Sequence, residues 1–224
     1  MYESMLKAPL GDDGLDGDPT AEELESGVAT LLGKEAALFV PSATMGNLAA
    51  ILAQTARQEL VVTEASSHIY TAERGAATLT GAFYEPIAGV AGAMNLERLE
   101  QVLVEPRGRL KAALVCMETS HNNAGGTALP LEHMRQVHDL SRRHGASIHL
   151  DGARLFNAAV VQAEGGPVTA SVRRIVDHFD SVSVCFSKGL GAPVGSALCG
   201  SRELIAKALR WRKVLGGGLR QSGI

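Results

Sequence analysis

The stretch Asp180-Ser-Val-Ser-Val-Cys-Phe-Ser-Lys188-Gly-Leu-Gly-Ala-Pro193 most narrows what this chain can fold into. An apolar run of the right length for one buried strand ends on a lysine, and a glycine-rich turn follows at once. Upstream, Ala146-Ser-Ile-His-Leu-Asp151-Gly-Ala-Arg154 repeats the design, with an aspartate at the strand end and an arginine just past it. Strands that are apolar throughout, with polar groups gathered at one end, belong to a parallel sheet covered on both faces. Ligands of such sheets sit beyond the carboxyl ends of the strands.

Further apolar runs at Ala36–Val40, Glu59–Thr63, Ala112–Met117, Ser147–Leu150, Ser181–Phe186 and Ser196–Cys199 alternate with helical patterns such as Leu96–Val104 and Leu131–His144. The alternation predicts an α/β fold with a mostly parallel sheet flanked by helices. Thr20-Ala-Glu-Glu23 reads as a capping box opening a helix through Val28, Leu31 and Leu32 that stops at Gly33. The Gly/Ala-rich stretch from Ile87 to Met94 reads as a surface connection. A chain of 224 residues suits one substantial α/β core.

A formal charge of -3 gives no case for a nucleic-acid partner or an anionic membrane surface. The basic stretch from Lys207 to Lys213 is expected to be a solvated helix face running into a loop. No apolar run reaches the length of a membrane span, and the opening Met-Tyr-Glu-Ser-Met-Leu-Lys lacks the basic-then-apolar order of a signal peptide. Cys116, Cys185 and Cys199 lie in apolar runs without metal-ligand spacing, so buried free thiols in the cytoplasm, or an organelle matrix, are expected.

A lysine and an aspartate presented by neighbouring strand ends are the pair that pyridoxal phosphate needs. The amine forms a Schiff base with its aldehyde, and the carboxylate keeps its pyridine nitrogen protonated, so that the ring can act as an electron sink. Taken singly, Lys188 reads equally as a surface lysine and Asp151 as a helix-capping carboxylate. Together they point to the cofactor. Ser42-Ala43-Thr44, between a strand and a helix starting near Met45, offers backbone N–H groups for an anion, although Ser and Thr cap helices without any ligand.

Several further motifs agree with one family. They are Gly11-Asp-Asp with Asp18-Pro-Thr20, Phe39-Val-Pro-Ser-Ala-Thr-Met-Gly-Asn-Leu48, His121-Asn with Gly125-Gly, His149-Leu-Asp-Gly-Ala-Arg154, Ser187-Lys-Gly-Leu-Gly-Ala-Pro-Val-Gly-Ser196 and Gly216-Gly-Gly-Leu-Arg-Gln221. On these residues the whole chain resembles the low-specificity L-threonine aldolases of the β-eliminating-lyase group, which have the aminotransferase-like, type I pyridoxal phosphate fold. The resemblance implies retro-aldol cleavage of L-threonine or L-allo-threonine to glycine and acetaldehyde, within a homo-oligomer.

It also implies roles. Lys188 is the Schiff-base lysine, Asp151 the pyridine partner, and Ala43, Thr44 and Ser187 are cofactor contacts. Arg220 is similar to an arginine that reaches a phosphate site, across a subunit boundary in some arrangements. Arg154 is similar to the arginine that holds the substrate carboxylate, its other reading being a helix-face ion pair. His68 resembles the histidine that stacks on the cofactor ring, and His121 the second histidine, near the substrate hydroxyl. His144 and His178 are expected to be surface residues.

The departures from the family pattern are at the ends and in one loop. The family's Arg-Ser-Asp-Thr opening lies before Met1, its C-terminal domain with a second carboxylate-binding arginine lies beyond Ile224, and Gly14-Leu-Asp-Gly17 replaces an aromatic-Gly-Glu pattern. Residues 1–224 are therefore expected to be the cofactor-binding large domain, without the C-terminal small domain and with an incomplete substrate site. The alternatives are another type I lyase or aminotransferase, because the cofactor platform does not choose which substrate bond breaks, or a non-catalytic truncated form.

Overall fold

A computed structural model describes residues 2–105 and 110–224. Its centre is a seven-stranded sheet built from β1 (Ala36–Val40), β2 (Leu60–Glu64), β3 (Phe83–Ile87), β6 (Ala112–Glu118), β7 (Ser147–Gly152), β8 (Ser181–Cys185) and β9 (Ser196–Gly200). The strand order is β1-β9-β8-β7-β6-β2-β3. β3, β2, β6, β7 and β8 run parallel, whereas β9 is antiparallel to both β8 and β1. The mostly parallel sheet expected from the alternation is thus present, with its antiparallel element confined to one side.

β2, β6 and β8 are buried at every position, as strands covered on both faces must be. The covering helices include α2 (Pro19–Leu32), α3 (Ala43–Gln54), α6 (Leu96–Val104), α7 (Leu131–Arg143), α8 (Leu155–Ala163), α9 (Val168–Val176) and α10 (Arg202–Val214). The main core joins Leu32, Val62, Leu99, Val115, Met134, Ile148 and Val172. A second cluster, of Leu38, Ala49, Ala50, Leu198 and Ala208, lies where α3 and α10 meet the β1–β9 edge. All three cysteines are free and buried. No helix among the described residues is long and apolar enough to cross a membrane.

Four local expectations need correction. The cap of α2 is Asp18, whose side chain accepts from the N–H groups of Thr20 and Ala21. Pro19 then occupies the first helical turn, where its missing N–H costs nothing, and the Thr20 hydroxyl donates instead to the Pro9 carbonyl at 2.9 Å. The expected stop at Gly33 is present, in the left-handed conformation. Helix α3 begins at Ala43, two residues before the expected start, because Ser42 accepts from the Met45 N–H at 3.2 Å.

The connection after Ile87 is not merely surface. It forms a hairpin of β4 (Gly89–Val90) and β5 (Ala93–Met94), with Ile87 and Met94 in the core. The basic stretch at the chain's end is helical through Val214, and Arg212 within it is buried, donating to the Phe39 carbonyl at 2.9 Å and pairing with Asp13. A carboxylate and a carbonyl compensate its burial.

Candidate active site

The carboxyl ends of β2, β6, β7 and β8 bring the polar residues together. Glu118 on β6 stands in register with Asp151 on β7, which in turn faces Ser183 on β8. Helix α3 crosses this end of the sheet closely at Gly46, where a β-carbon would lie 2.9 Å from the Ser183 hydroxyl. That approach lets the next residue, Asn47, reach Asp151, and its amide donates to Asp151 Oδ2 at 3.0 Å. The other Asp151 oxygen accepts the Ala153 N–H at 3.1 Å.

Asp151 is 2% exposed, and its carboxyl is held above the usual aspartate range, first by burial and then by the facing Glu118. The Ala153 N–H, the Asn47 amide and the charge of Lys188 act in the opposite direction. Lys188 lies exposed on the turn after β8. Neither Lys188 nor Arg154, which is half-buried, forms an ion pair or side-chain hydrogen bond among the described residues.

His68 opens the short helix α4 (His68–Thr71). Its Nδ1 lies 2.7 Å from Glu73 Oε1, and its backbone N–H donates to Glu118 Oε2 at 2.7 Å. The ring is partly exposed, with 37% of the side chain accessible. Glu73, buried beside Asp151, has its carboxyl pushed up by burial and by that neighbour's charge, with His68 and the Thr44 hydroxyl opposing the shift. The acceptor and donor atoms of His68, Glu73 and Asp151 fall within 4.8 Å of one another.

His121, expected from the resemblance near the substrate hydroxyl, is enclosed in the turn after β6. It is fully buried, its Nε2 is 3.0 Å from Glu64 Oε2, and its Nδ1 has no partner. The β4–β5 hairpin closes over it, since a β-carbon on Gly92 would lie 2.6 Å from the ring. Arg220 is exposed and pairs with Asp12 at 2.7 Å, and it makes no hydrogen bond to Ala43 or Thr44. The Ser187 hydroxyl lies 3.3 Å from the Cys185 sulfur. Three small buried side chains, Ala43 at the start of α3, Ala153 and Cys185, pack together.

Asn47 and Glu73 were not singled out from the sequence as site residues, although both touch the expected ones; Glu118 stood out only as a polar residue at the end of an apolar run. A family model described as β-eliminating lyase matches residues 1–224. The chain belongs to the β-eliminating lyase family. It is 44% identical to low-specificity L-threonine aldolase 1 of Arabidopsis thaliana over all of its own length and 63% of the relative's. It is 38% identical to the low specificity L-threonine aldolase of Escherichia coli K12, over 100% of this chain and 66% of that one.

A solved threonine aldolase structure from Leishmania major superposes with a TM-score of 0.80 over 99% of this chain and 65% of that one, at 22% identity, which shows the shared fold. The chain therefore spans a little under two thirds of these relatives. Within this β-eliminating lyase, the sheet-end cluster of Asp151, Asn47, Glu73 and His68, flanked by Lys188 and Arg154, is the candidate active site.

Proposed function

We propose that this chain is the cofactor-binding part of a pyridoxal phosphate-dependent lyase that cleaves L-threonine or L-allo-threonine to glycine and acetaldehyde. The observation that carries the reading is the buried Asp151 carboxyl, crowded by Glu118 and Glu73 and facing the Lys188 side. Such a site favours a cationic N–H, and a protonated pyridine nitrogen supplies one. The donor set fits the rest of the cofactor. The open first turn of α3 at Ala43 and Thr44 suits its phosphate, the Ala43–Ala153–Cys185 patch suits a flat ring, and Lys188 suits its aldehyde.

When bound, pyridoxal phosphate supplies the electron sink into which the Cα–Cβ bond electrons pass. The chain's own residues do the remainder. Asp151 would hold the proton on a bound cofactor's pyridine nitrogen, and Lys188 would supply the amine for its aldehyde. Arg154, free of protein partners among the described residues, binds the substrate carboxylate in a bidentate fork. Ser187 and Arg220 are second-rank candidates for contacts to the cofactor, Arg220 by leaving Asp12.

His68 is the candidate for moving the hydroxyl proton through Nε2, the ring nitrogen turned away from Glu73. His121, enclosed by the hairpin and Glu64, serves as a positioning residue for the turn after β6 in this arrangement. The relatives' names support threonine as substrate. A small-molecule amino acid substrate, a homo-oligomeric assembly and a cytoplasmic setting complete the proposal.

The test is product analysis. The purified chain, loaded with pyridoxal phosphate, is given L-threonine and L-allo-threonine, and glycine with acetaldehyde in equal amounts is expected. A keto acid formed with ammonia would assign β-elimination instead, and a keto acid formed without it transamination. Cofactor binding with no turnover would place the activity in a larger assembly, and no binding at all would overturn the reading.

A further inference from the structure

We infer that Glu73 and Asn47 are positioning residues that lock His68 and Asp151 into one hydrogen-bonded unit, with the His68 proton held on Nδ1 and Nε2 left open to a bound substrate. The inference rests on the proposed roles of Asp151 and His68, and it deepens them by assigning the atoms.

The direction of each hydrogen bond follows from donor chemistry. Asn47 Nδ2 contacts Asp151 Oδ2 at 3.0 Å and the two Glu73 oxygens at 3.3 and 3.4 Å, so its two N–H bonds are divided between two buried carboxyl groups. Asn47 Oδ1 is then the acceptor for His149 Nε2 at 3.0 Å, which puts the His149 proton on Nε2. His149 Nδ1 accepts from the Ser181 hydroxyl at 2.8 Å, and the Ser181 oxygen accepts from Gln54 Nε2 at 2.8 Å. Each member from Gln54 to Asn47 has one consistent role. A flipped Asn47 amide would set its oxygen against both carboxyl groups and its N–H bonds against a ring N–H.

Beyond Asn47 the same logic reaches His68. An ionised Glu73 only accepts, so at 2.7 Å it takes the Nδ1–H of His68, and a neutral ring then carries its lone pair on Nε2. That atom makes no hydrogen bond among the described residues, whereas the backbone N–H of His68 is tied to Glu118. Carboxyl groups meet His68 from three directions: Glu73 on its own segment, Glu118 from β6 at its backbone N–H, and Asp151 from β7. Thr44 and Asn47, both neutral, face Glu73 from α3. These acceptors favour a proton on the Nδ1 that faces Glu73.

The experiment uses the cofactor-free chain with 15N-labelled histidine, so that it stands apart from turnover. Long-range proton–nitrogen spectra are expected to show His68 as the Nδ1–H tautomer. In Glu73→Gln the preference for the Nδ1–H tautomer should weaken, because the charged acceptor is lost.

Asn47→Ala is expected to weaken the same His68 tautomer preference although it does not touch the ring, and to weaken pyridoxal phosphate binding about ten-fold, since Asp151 loses a donor. An Nε2–H tautomer in the unsubstituted chain, or a His68 tautomer indifferent to Glu73→Gln, would overturn the inference even if threonine is cleaved. The expected spectra in a chain that binds no cofactor would leave the hydrogen-bond assignment standing and remove the proposed function.

Discussion

Glu118 holds the backbone of His68 on one oxygen, at 2.7 Å, and with its other oxygen accepts the Asn122 N–H at 2.8 Å. One buried carboxylate at the end of β6 thereby fixes two segments, the α4 start and the turn carrying His121. Asn123 adds to this by donating to the Ser66 carbonyl at 2.7 Å. The candidate histidines are thus placed by anchoring of their backbone segments as well as by the contacts of their rings.

Glu118→Gln should loosen both segments together. An amide offers one oxygen where two are used, so one buried N–H loses its partner, at a cost of about 1–3 kcal/mol. Urea denaturation of the cofactor-free chain measures the loss, and amide hydrogen exchange should accelerate at His68 and Asn122. Unchanged exchange at both positions would show that the anchoring lies elsewhere.

Lys188→Ala should abolish the visible absorbance of added pyridoxal phosphate. Borohydride reduction of the unsubstituted chain should leave the adduct on Lys188, read by peptide mass spectrometry. An adduct on Lys213 or Lys34 instead would displace the assignment.

Asp151→Asn should keep the phosphate contacts and lose chemistry. The amide fills the carboxylate's volume but cannot hold charge on the pyridine nitrogen, so turnover is expected to fall by at least about a hundred-fold, equivalent to about 2.7 kcal/mol of barrier. Cofactor affinity, followed by fluorescence, should change far less. Equal turnover would make Asp151 a structural residue.

His149 supplies a pH dependence with a defined sign. Burial pulls its basicity from 6.5 down to about 3, so the folded chain refuses a proton that the unfolded chain takes up. Its contribution to stability is complete above the unfolded value and is lost as pH falls through the interval towards the folded one, by about 1.4 kcal/mol per pH unit. The raised carboxyls of Asp151 and Glu73 act oppositely, since their contribution grows as pH falls from their folded values into the ordinary carboxylate range. The difference between the unsubstituted chain and His149→Gln isolates the histidine, and denaturation midpoints from pH 7 to 4 should converge as acid is added. Parallel curves would mean that His149 is charged in the folded chain.

The sheet was legible because its strands are buried on both faces and read as unbroken apolar runs, as at Ala112–Glu118. β3 was not legible. Phe83-Tyr-Glu-Pro-Ile contains Pro86, which marks an edge strand and weakens the pattern. Lys188, Asp151 and Arg154 could be found because a charge at the end of an apolar run stands out. Asn47 and Glu73 could not, since each sits inside a helical or irregular stretch and gains its meaning from residues distant in sequence. His121 carried a recognisable motif, but its enclosure depends on Gly92, in a hairpin with only two residues per strand.

Strand β1 pairs along its length with β9, Ala36 opposite Gly200 and Val40 opposite Ser196. The turn that begins α3 springs from the end of this early strand, yet the neighbour that holds the strand is made near the end of the described chain. A ribosome releasing this protein from its amino end must leave Leu38 and Val40 without a sheet partner until Leu198 has emerged. Such distant pairing slows folding and prolongs the exposure of an unpaired edge. The turn that begins α3 thus gains its sheet-side support only once β9 has been made, and the amino-terminal part of the described fold depends on a strand more than 150 residues downstream.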